Sequence, residues 1–427
     1  MKIDSIKEIE NNEYVYDIEL EKNHYFAANK IYSHNCRLKN DFSKVAEAGY
    51  QNSFGVGGLS IGSHRVAGLN MPRLAFLERE NPNILTENLN ILQKILYSHR
   101  QLIKDRIDGG FLPLYTTNWI ELSRQYSTIG FIGGYEYVAN KGFDIMSEFG
   151  QIELLYALES IENSIVTWQK YYNSKKRDII YINDSKYLPF EFIYIKSKNT
   201  RKILYIQANE IFDYNKDEYL IKKRDIYEEI KKTELTSVES NETVIFNTEQ
   251  IPGESMAVRL ADIDHILGYN IKNDDSNNDE DIDVPYIDLE KKYELYSNQY
   301  IPLIDDASIY DRFYVQGKFD SLTSGGAILH INVDDEKPIS KEQFKRLMES
   351  AKSLNVVYFA INYAYSECEN NHFSVGKKDK CNICDSKIIQ QYTRVVGFIT
   401  PVNSWNETRR KYEFTEREFY KNGALEI

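Results

Sequence analysis

The sequence predicts an α/β protein that is built from more than one unit. Its 427 residues exceed one typical domain, and 42% of them are apolar, which is enough to bury a large core. Between residues 36 and 360, stretches of helical character alternate with short strand-like runs, the pattern of an α/β fold. The helical stretches are Asn88–Ile107 and Phe149–Tyr171, and the strand-like runs are Lys202–Gln207, Val244–Asn247, Ala327–Asn332 and Val356–Asn362.

The first 35 residues have a different character and read as a small β-rich unit. Tyr14 to Leu20 has strand propensity, and turn residues follow around Asn23 and again at Asn29. A segment this short cannot bury a core of its own. We therefore expect it to form a β-hairpin that belongs to a larger assembly.

The junction His34-Asn35-Cys36 ends this unit and combines three reactive side chains. The amide of Asn35 can attack its own backbone carbonyl and cut the chain as a succinimide, and His34 can donate a proton to that carbonyl. Cys36 supplies the best nucleophile among the common side chains. On its own the tripeptide is a weak signal.

The context of the junction resembles the C-terminal piece of an intein. The segments Val15–Leu20 and Asn23–Asn29 precede the junction in the order and spacing of that family. The resemblance covers about residues 3–36. It implies that Asp17 and His24 support acyl transfer and cyclisation. The plain β-hairpin accounts for the strands but not for the junction.

Charge and composition exclude several other classes of protein. The net charge of −13 argues against a nucleic-acid-binding surface. The sequence contains no run of 18 apolar residues, so we expect no membrane span, and no apolar signal peptide follows Met1. Four cysteines in so long a chain do not make a disulfide framework. A reducing, cytoplasmic setting fits these observations.

Three of the four cysteines cluster near the C-terminus with one histidine. The pattern is Cys368-x3-His372, then eight residues, then Cys381-x2-Cys384. A Cys-x2-Cys knuckle lets two thiolates bind one tetrahedral zinc ion, and Cys368 and His372 can complete the set. We predict a structural Cys3His zinc ribbon in which His372 is the least secure ligand. Free thiols and a redox Cys-x2-Cys pair are the alternatives.

Beyond the ribbon, Tyr392–Pro401 reads by propensity as one strand, within which Gly397 marks a bulge or a close backbone approach. Arg394-Val395-Val396-Gly397-Phe398, followed by Trp405-Asn406, also resembles the glycyl-radical loop of anaerobic (class III) ribonucleoside-triphosphate reductases. Five upstream segments carry the same resemblance in the same order: Leu69–Ala75, Ser123–Gly133, Glu249–Ala257, Tyr296–Leu303 and Ser324–Ile331. The resemblance covers about residues 36–427.

The resemblance implies specific roles for several residues. Gly397 matches the glycine that stores the radical, a centre that must be planar and that a Cβ would crowd. Cys36, followed by arginine, matches the cysteine that becomes a thiyl radical, so it would act first in splicing and then in catalysis. Glu254 matches an acidic position that could exchange protons with ribose hydroxyls, and a carboxylate that caps a helix from Ser255 onward is the alternative. Asn70 is a candidate polar group near the substrate, and a buried turn asparagine is the simpler interpretation.

The same resemblance implies an architecture and partners. Residues 1–35 would be the intein fragment, 36–360 part of a ten-stranded α/β barrel, 361–388 the zinc ribbon, and 389–427 the radical loop and tail. The expected partners are the N-terminal half of the intein and reductase, a radical-SAM activase, a ribonucleoside triphosphate and, after splicing, a second copy of the chain in a homodimer. A naturally split intein or a longer precursor would each explain the start of the chain.

Two other functions stay open at this point. A pyruvate formate-lyase-like glycyl radical enzyme would use adjacent cysteines, and here Cys36 follows Asn35. A non-catalytic, zinc-stabilised binding protein is the other alternative. The zinc ribbon beside Gly397 favours the reductase, and the retention of Gly397 and Cys36 argues against loss of catalysis. The sequence does not decide whether formate or a thiol protein supplies the electrons.

Overall fold

The computed structural model describes most of the chain from residue 62 onward. The described ranges are 25–28, 31–34, 62–182, 185–187, 192–196, 203–207, 236–240, 242–251, 253–270, 292–334, 339–394 and 399–421. For residues 25–34, for the strands between 177 and 238, and for residues 254 and 255, the description is of the backbone alone.

Strands and helices alternate through the centre of the chain, and strands alone form the region before the last helical turns. The strands are β1 Tyr25–Ala28, β2 Ile31–His34, β3 Gly62–Asn70, β4 Gln125–Ile132, β5 Lys176–Ile182, β6 Ser185–Tyr187, β7 Phe192–Lys196, β8 Ile203–Gln207, β9 Thr236–Glu239, β10 Ile245–Gln250, β11 Leu329–Val333, β12 Phe359–Tyr363, β13 Tyr365–Cys368, β14 Phe373–Val375, β15 Ile388–Arg394 and β16 Ile399–Pro401. The helices are α1 Met71–Leu77, α2 Ile84–Asp108, α3 Pro113–Thr116, α4 Gly134–Asn140, α5 Glu148–Tyr172, α6 Glu254–Ile266, α7 Ile309–Phe319, α8 Lys341–Ser353 and α9 Phe414–Glu416. Short 3-10 segments lie at Leu122–Arg124, Asp320–Leu322 and Val402–Ser404, and a π-helical segment at Arg409–Glu413.

Parallel strands form the centre of the fold. The strands β3, β4 and β10 pair in the order β10-β4-β3, and β11 pairs with β12; all of these pairs are parallel. A parallel bridge between Glu249 and Gly326 joins the two groups. Parallel strands place their carboxyl ends at one edge of the sheet, which is where α/β proteins hold their ligands.

The helices cover one face of these strands. Leu154, Leu158, Ile161, Ile165 and Trp168 of α5 follow a spacing of three and four residues, and all are buried against β4 and β10. Strand β4 is buried along nearly its whole length, as a central parallel strand with both faces covered should be. The predicted α/β class is confirmed.

The peripheral strands between residues 176 and 239 are antiparallel. Strand β5 pairs with β6 and β9, and β7 pairs with β8. Among the described residues, these strands form sheets of their own and do not pair with the parallel strands.

The last sheet corrects one prediction. The run Tyr392–Pro401 is not a single strand: β15 ends at Arg394, and β16 begins at Ile399 and returns antiparallel to it. The sheet order is β14-β13-β15-β16, so the cysteine-rich segment and this hairpin share one sheet. A two-strand hairpin satisfies the backbone groups of both segments locally, which one long strand could not do without another neighbour.

The two predicted helices and several strands agree with the structure to within a few residues. Asn88–Ile107 lies inside α2, and Phe149–Tyr171 lies inside α5. The strands β8, β10, β11 and β12 occupy the predicted runs, with ends that shift by one to three residues. Near the N-terminus, β1 and β2 pair antiparallel, with Ala28 opposite Ile31. The predicted strand Tyr14–Leu20 and the predicted turns at Asn23 and Asn29 lie outside the described residues.

Candidate metal centre and the segment beside it

Two tight turns bring the four predicted metal ligands together. The first turn follows β13: the Cys368 N–H donates to the carbonyl of His372 (3.1 Å), and Asn371 in this turn has a positive φ of 61°. The second turn is closed by the Asp385 N–H, which donates to the Cys381 carbonyl at 2.9 Å. Each turn therefore presents two ligands, and the sheet places one turn beside the other.

The side-chain atoms of these residues are arranged as a tetrahedral metal site requires. All four ligand atoms lie within 4.8 Å of one another. Cys384 Sγ lies 3.7 Å from Cys368 Sγ and 3.3 Å from His372 Nδ1, and Cys381 Sγ lies 3.7 Å from that nitrogen. Usual zinc bond lengths in a tetrahedron give S–S separations of about 3.8 Å and S–N separations of about 3.6 Å. The donor set therefore fits zinc.

Hydrogen bonds around the cluster favour the thiolate form of its most exposed member. The side chains of Ser386 and Asn370 lie 3.0 and 3.4 Å from the Sγ of Cys384. Hydrogen bonds from these two side chains lower the pKa of Cys384 to about 5. Cys368 and Cys381 are buried beside it. A thiolate in this position is the form that binds a metal ion.

The lysines between the two ligand pairs do not all point at the cluster. Lys377 lies with its Nζ 4.7 Å from the ring centre of Phe414 and 5.2 Å from that of Phe419. Its backbone N–H donates to Asp334 Oδ1 at 2.8 Å. Lys380 pairs with Asp385 at 3.4 Å. Lys377 thus ties the cysteine-rich turn to the C-terminal segment.

The hairpin next to the ribbon carries Gly397 in its connection. Arg394 and Ile399 are the last paired residues, so four residues, 395–398, join the two strands. Gly397 itself lies outside the described residues. The strand that follows is fixed by Trp405, whose Nε1–H donates to Thr400 Oγ1 at 2.8 Å.

A buried ion triad, which the sequence reasoning missed, lies beside this hairpin. Glu413 accepts hydrogen bonds from both Arg409 and Arg417, and all three residues are buried. The spacing of four residues on each side is the signal that could have found it, because such residues share one helical face. The guanidinium groups also reach the carbonyl oxygens of Gly253 (2.9 Å) and Arg394 (2.8 Å).

Asn70 lies where strand β3 ends and helix α1 begins. Its Oδ1 accepts from the Arg73 N–H at 3.4 Å as a cap, and its Nδ2 donates to Asp264 Oδ2 at 2.7 Å. Asp264 is fully buried and also binds Arg73 and, at 2.8 Å, the hydroxyl of Tyr296. The contacts of Asn70 are structural, and its role at a substrate stays a prediction.

The other predicted site residues lie largely outside the described part of the chain. Helix α6 begins at Glu254 with Gly253 as its N-cap, and nothing is described of the Glu254 side chain. The backbone of His34 ends strand β2. Asp17, His24, Asn35 and Cys36 lie outside the described residues.

A polar group on strands β11 and β12 was also missed. His330 and Asn332 alternate with the apolar residues of β11 and face away from the helix-covered side. Asn362 of β12 places its Nδ2 2.9 Å from His330 Nδ1 and 3.3 Å from Asn332 Oδ1. All three are buried. Alternation of apolar and polar residues with both sets buried is the signal that marks a polar interior behind the sheet.

Comparisons with known proteins agree on one relationship. A family model described as "Anaerobic ribonucleoside-triphosphate reductase" matches residues 9–204 and 214–420. The match begins inside the segment assigned above to the intein. No curated protein sequence matches the chain.

Solved structures give the same relationship. One structure described as an anaerobic ribonucleotide reductase is 26% identical, with a TM-score of 0.56 over 84% of this chain and 45% of its own. The Thermotoga maritima enzyme with glycerol in its active site is 26% identical (TM-score 0.53; 83% and 44%). The same enzyme in complex with dATP and CTP is also 26% identical (TM-score 0.52; 82% and 44%).

The solved structures are much longer than this chain. The chain spans less than half the length of the structures that it matches. In the part of the chain that the structure describes, no helix combines the length and the apolarity that are needed to cross a bilayer.

Proposed function

Because the chain belongs to the anaerobic ribonucleoside-triphosphate reductase family, we propose that it supplies the radical-bearing half of such an enzyme. The observation that carries this proposal is the C-terminal sheet. It joins a four-ligand metal cluster to a hairpin whose connection contains a glycine. Pyruvate formate-lyase-like chemistry and a purely binding role have no comparable support, since both family and structural matches point to the reductase.

The proposed chemistry uses two residues of this chain as radical carriers. A radical stored on the Cα of Gly397 takes the hydrogen atom from the Cys36 thiol, which leaves a thiyl radical at Cys36 and a closed-shell glycine. The thiyl radical then takes a hydrogen atom from the ribose of a ribonucleoside triphosphate. Net reduction replaces a ribose hydroxyl with hydrogen and releases water, so two electrons must come from formate or a thiol protein. Glu254 and Asn70 are the proposed polar partners of the ribose.

The parallel strands fit the proposed architecture. The chain of strands β3-β4-β10 continues through the Glu249–Gly326 bridge to β11-β12. Five parallel strands in chain order are half of the ten that the proposed barrel requires. Among the described residues, no strand pairs with the outer edge of β3, and this edge would pair with the other half.

Zinc at the cluster would have a structural role in this proposal. Cys368, His372, Cys381 and Cys384 would hold it, and a closed set of four protein ligands leaves no position for a substrate. Bound zinc would fix the two ligand turns to each other. Lys377, which lies between the two ligand turns in the chain and contacts Phe414, would transmit that fixed geometry to the C-terminal segment.

We also propose that the N-terminal segment is an intein fragment and that the chain is completed by splicing. His34, Asn35 and Cys36 would carry out the cleavage and ligation, with Asp17 and His24 in support. The partners would be the N-terminal half of the intein and reductase and a radical-SAM activase. The mature enzyme would be a homodimer in the reducing cytoplasm. The β1–β2 hairpin that ends at His34 is compatible with this reading.

Peptide mass spectrometry on anaerobically grown host cells tests the splicing step. Trypsin should give Ile31–Arg37 from the unspliced chain, whereas splicing joins foreign residues to Cys36-Arg37. If cells that make the whole enzyme contain the unspliced peptide and no spliced peptide, splicing is contradicted. Turnover is tested separately: we expect none from this chain alone with an activase, and measurable turnover would refute the need for a second half.

A further inference from the structure

The Arg409–Glu413–Arg417 triad is buried more completely than its charge would favour. Arg409 is 0% exposed, and Glu413 and Arg417 are 4% exposed. Burial alone would raise the pKa of Glu413, but the two guanidinium groups hold it below its usual value. The carboxylate is therefore charged, and each of its oxygens accepts from a different arginine.

Each arginine uses a second donor on a backbone carbonyl from a distant segment. Arg409 Nη2 donates to the Gly253 oxygen at 2.9 Å, across 156 positions in the chain. Arg417 Nη1 donates to the Arg394 oxygen at 2.8 Å. Gly253 is the N-cap of α6, whose first residue is Glu254, and Arg394 ends β15. The Glu413 carboxylate is thus connected to both backbone carbonyls through the two planar guanidinium groups.

Stability alone is a weak reason for such an arrangement. Apolar residues of the same volume often stabilise a protein as well as a buried ion triad, because burying charge costs desolvation energy. What the triad adds is geometry: a planar guanidinium binds a carboxylate and a carbonyl in fixed directions, which apolar packing cannot do. The triad also begins in a π-helical segment, Arg409–Glu413, and such segments are frequent at functional sites.

We propose that the triad is a positioning device that sets the place of the end of β15 relative to the first turn of α6. This inference rests on the proposed function, in which the connection after β15 carries Gly397 and that turn carries Glu254. Arg417 holds the residue before the connection, and Arg409 holds the residue before Glu254. The three residues act through these backbone contacts and touch neither the substrate nor the radical.

Lysine substitutions test the geometry while keeping the charge. In Arg417→Lys, one nitrogen on a shorter head group replaces the two nitrogens that bind Glu413 and the Arg394 carbonyl in fixed directions. The bond to the Arg394 carbonyl should therefore be lost or weakened, and the end of β15 should open. Arg410→Lys is the matched control, because Arg410 is only half-buried and lies next to the triad. The probe is tryptic cleavage after Arg394 in the zinc-loaded chain, with cleavage after exposed Lys380 as the internal reference.

The expected result is local. Loss of one charge-assisted hydrogen bond should raise the rate of cleavage after Arg394 by about 10-fold to 100-fold, with no change after Lys380 or in zinc content. Arg410→Lys should leave both rates unchanged. An unchanged rate after Arg394, or a parallel rise at both positions, would overturn the proposal.

Arg409→Lys is a second test of the positioning role, for the case in which Arg417→Lys does not fold. It removes the contact with Gly253 and should raise amide hydrogen exchange in the first turn of α6, while residues 388–394 stay protected. If neither variant folds, or if Arg409→Lys changes exchange everywhere, the triad is a stability element and the positioning role is wrong.

The proteolysis and exchange measurements need neither the activase nor turnover. They can therefore succeed or fail independently of the proposed reductase function.

In the completed enzyme, Arg417→Lys should lower kcat and the yield of the glycyl radical signal in electron paramagnetic resonance while KM stays unchanged. Normal kcat and radical yield with an opened Arg394 would overturn the functional part of the inference alone, and absence of any radical in the wild-type enzyme would instead contradict the proposed function.

Discussion

Replacing His372 tests whether the fourth corner of the metal cluster is a true ligand. His372 Nδ1 lies 3.3 Å from Cys384 Sγ and 3.7 Å from Cys381 Sγ, so the ring already faces the position of the ion. His372→Ala removes that ligand and leaves three thiolates. We expect the variant to bind zinc much more weakly than the wild type does, and to bind it with an open coordination position.

The expected magnitude follows from the number of ligands. A structural zinc site with four ligands contributes about 10–16 kcal/mol in small zinc-binding peptides, or roughly 3 kcal/mol for each ligand. Loss of one ligand should therefore weaken zinc binding by about 100-fold. His372→Cys should retain most of the affinity. Because Nδ1 lies close to Cβ, a cysteine Sγ with its longer bond to zinc reaches nearly the same point.

Competition with a chromophoric chelator measures the affinity directly. The purified wild-type chain should bind one zinc ion. Removing zinc from the wild type or from His372→Cys should need a higher chelator concentration than removing it from His372→Ala. The matched control is His265→Ala, because His265 is an exposed residue on helix α6 and is not one of the four clustered residues. Its zinc affinity should equal that of the wild type.

Two results would refute this reasoning. If His372→Ala binds zinc as tightly as the wild type, three cysteines and another donor form the site and His372 is not a ligand. If the wild-type chain purified under reducing conditions binds no zinc, the close approach of the four side chains does not create a metal site at all.

Three further predictions concern the radical, pH and packing. Gly397→Ala in the completed enzyme should abolish the glycyl radical signal, because a Cβ disfavours the planar radical centre. Between pH 7 and 5 the protein should lose about 2 kcal/mol of unfolding free energy through His64. Burial, with Arg100 next, lowers the folded pKa of His64 from 6.5 to about 3, so protonation favours the unfolded chain as pH falls. Gly317→Ala should destabilise the fold by about 3 kcal/mol, because a Cβ there would overlap the Leu354 carbonyl.

Each of these predictions has a direct measurement and a control. Electron paramagnetic resonance reports the radical, and a signal of normal intensity in Gly397→Ala would contradict the assignment. Urea unfolding at the two pH values reports the linkage, and His64→Asn should flatten it; an unchanged slope would exclude His64 as the source. For packing, Gly134→Ala is the control, since its Cβ would meet its nearest neighbour at 3.6 Å. Equal stability of the two alanine variants would contradict the overlap.

Local patterns in the sequence were sufficient to predict which four side chains cluster at the candidate metal site. The ligands occur in two close pairs, Cys368 with His372 and Cys381 with Cys384, and spacing within a turn fixes which side chains can share one ion. The helices around Asn88–Ile107 and Phe149–Tyr171 were found for a similar reason, because helical periodicity is a property of neighbouring residues.

The same local reasoning failed for Tyr392–Pro401. A continuous run of strand-forming residues does not show where the chain reverses, and the pairing of Arg394 with Ile399 turned one expected strand into two. Propensity describes single residues, whereas a turn depends on which partner each strand finds.

The sequence by itself thus determined the α/β class, the four side chains that cluster as a candidate metal site, and the family resemblance, all of which rest on residues close together in the chain or on motifs in order. Only the tertiary structure decided which distant groups meet. Asn70 bonds to Asp264 across 194 positions, and Arg409 bonds to the Gly253 carbonyl across 156. No periodic pattern encodes such contacts, because they depend on how parallel strands and their helices pack after the local elements have formed.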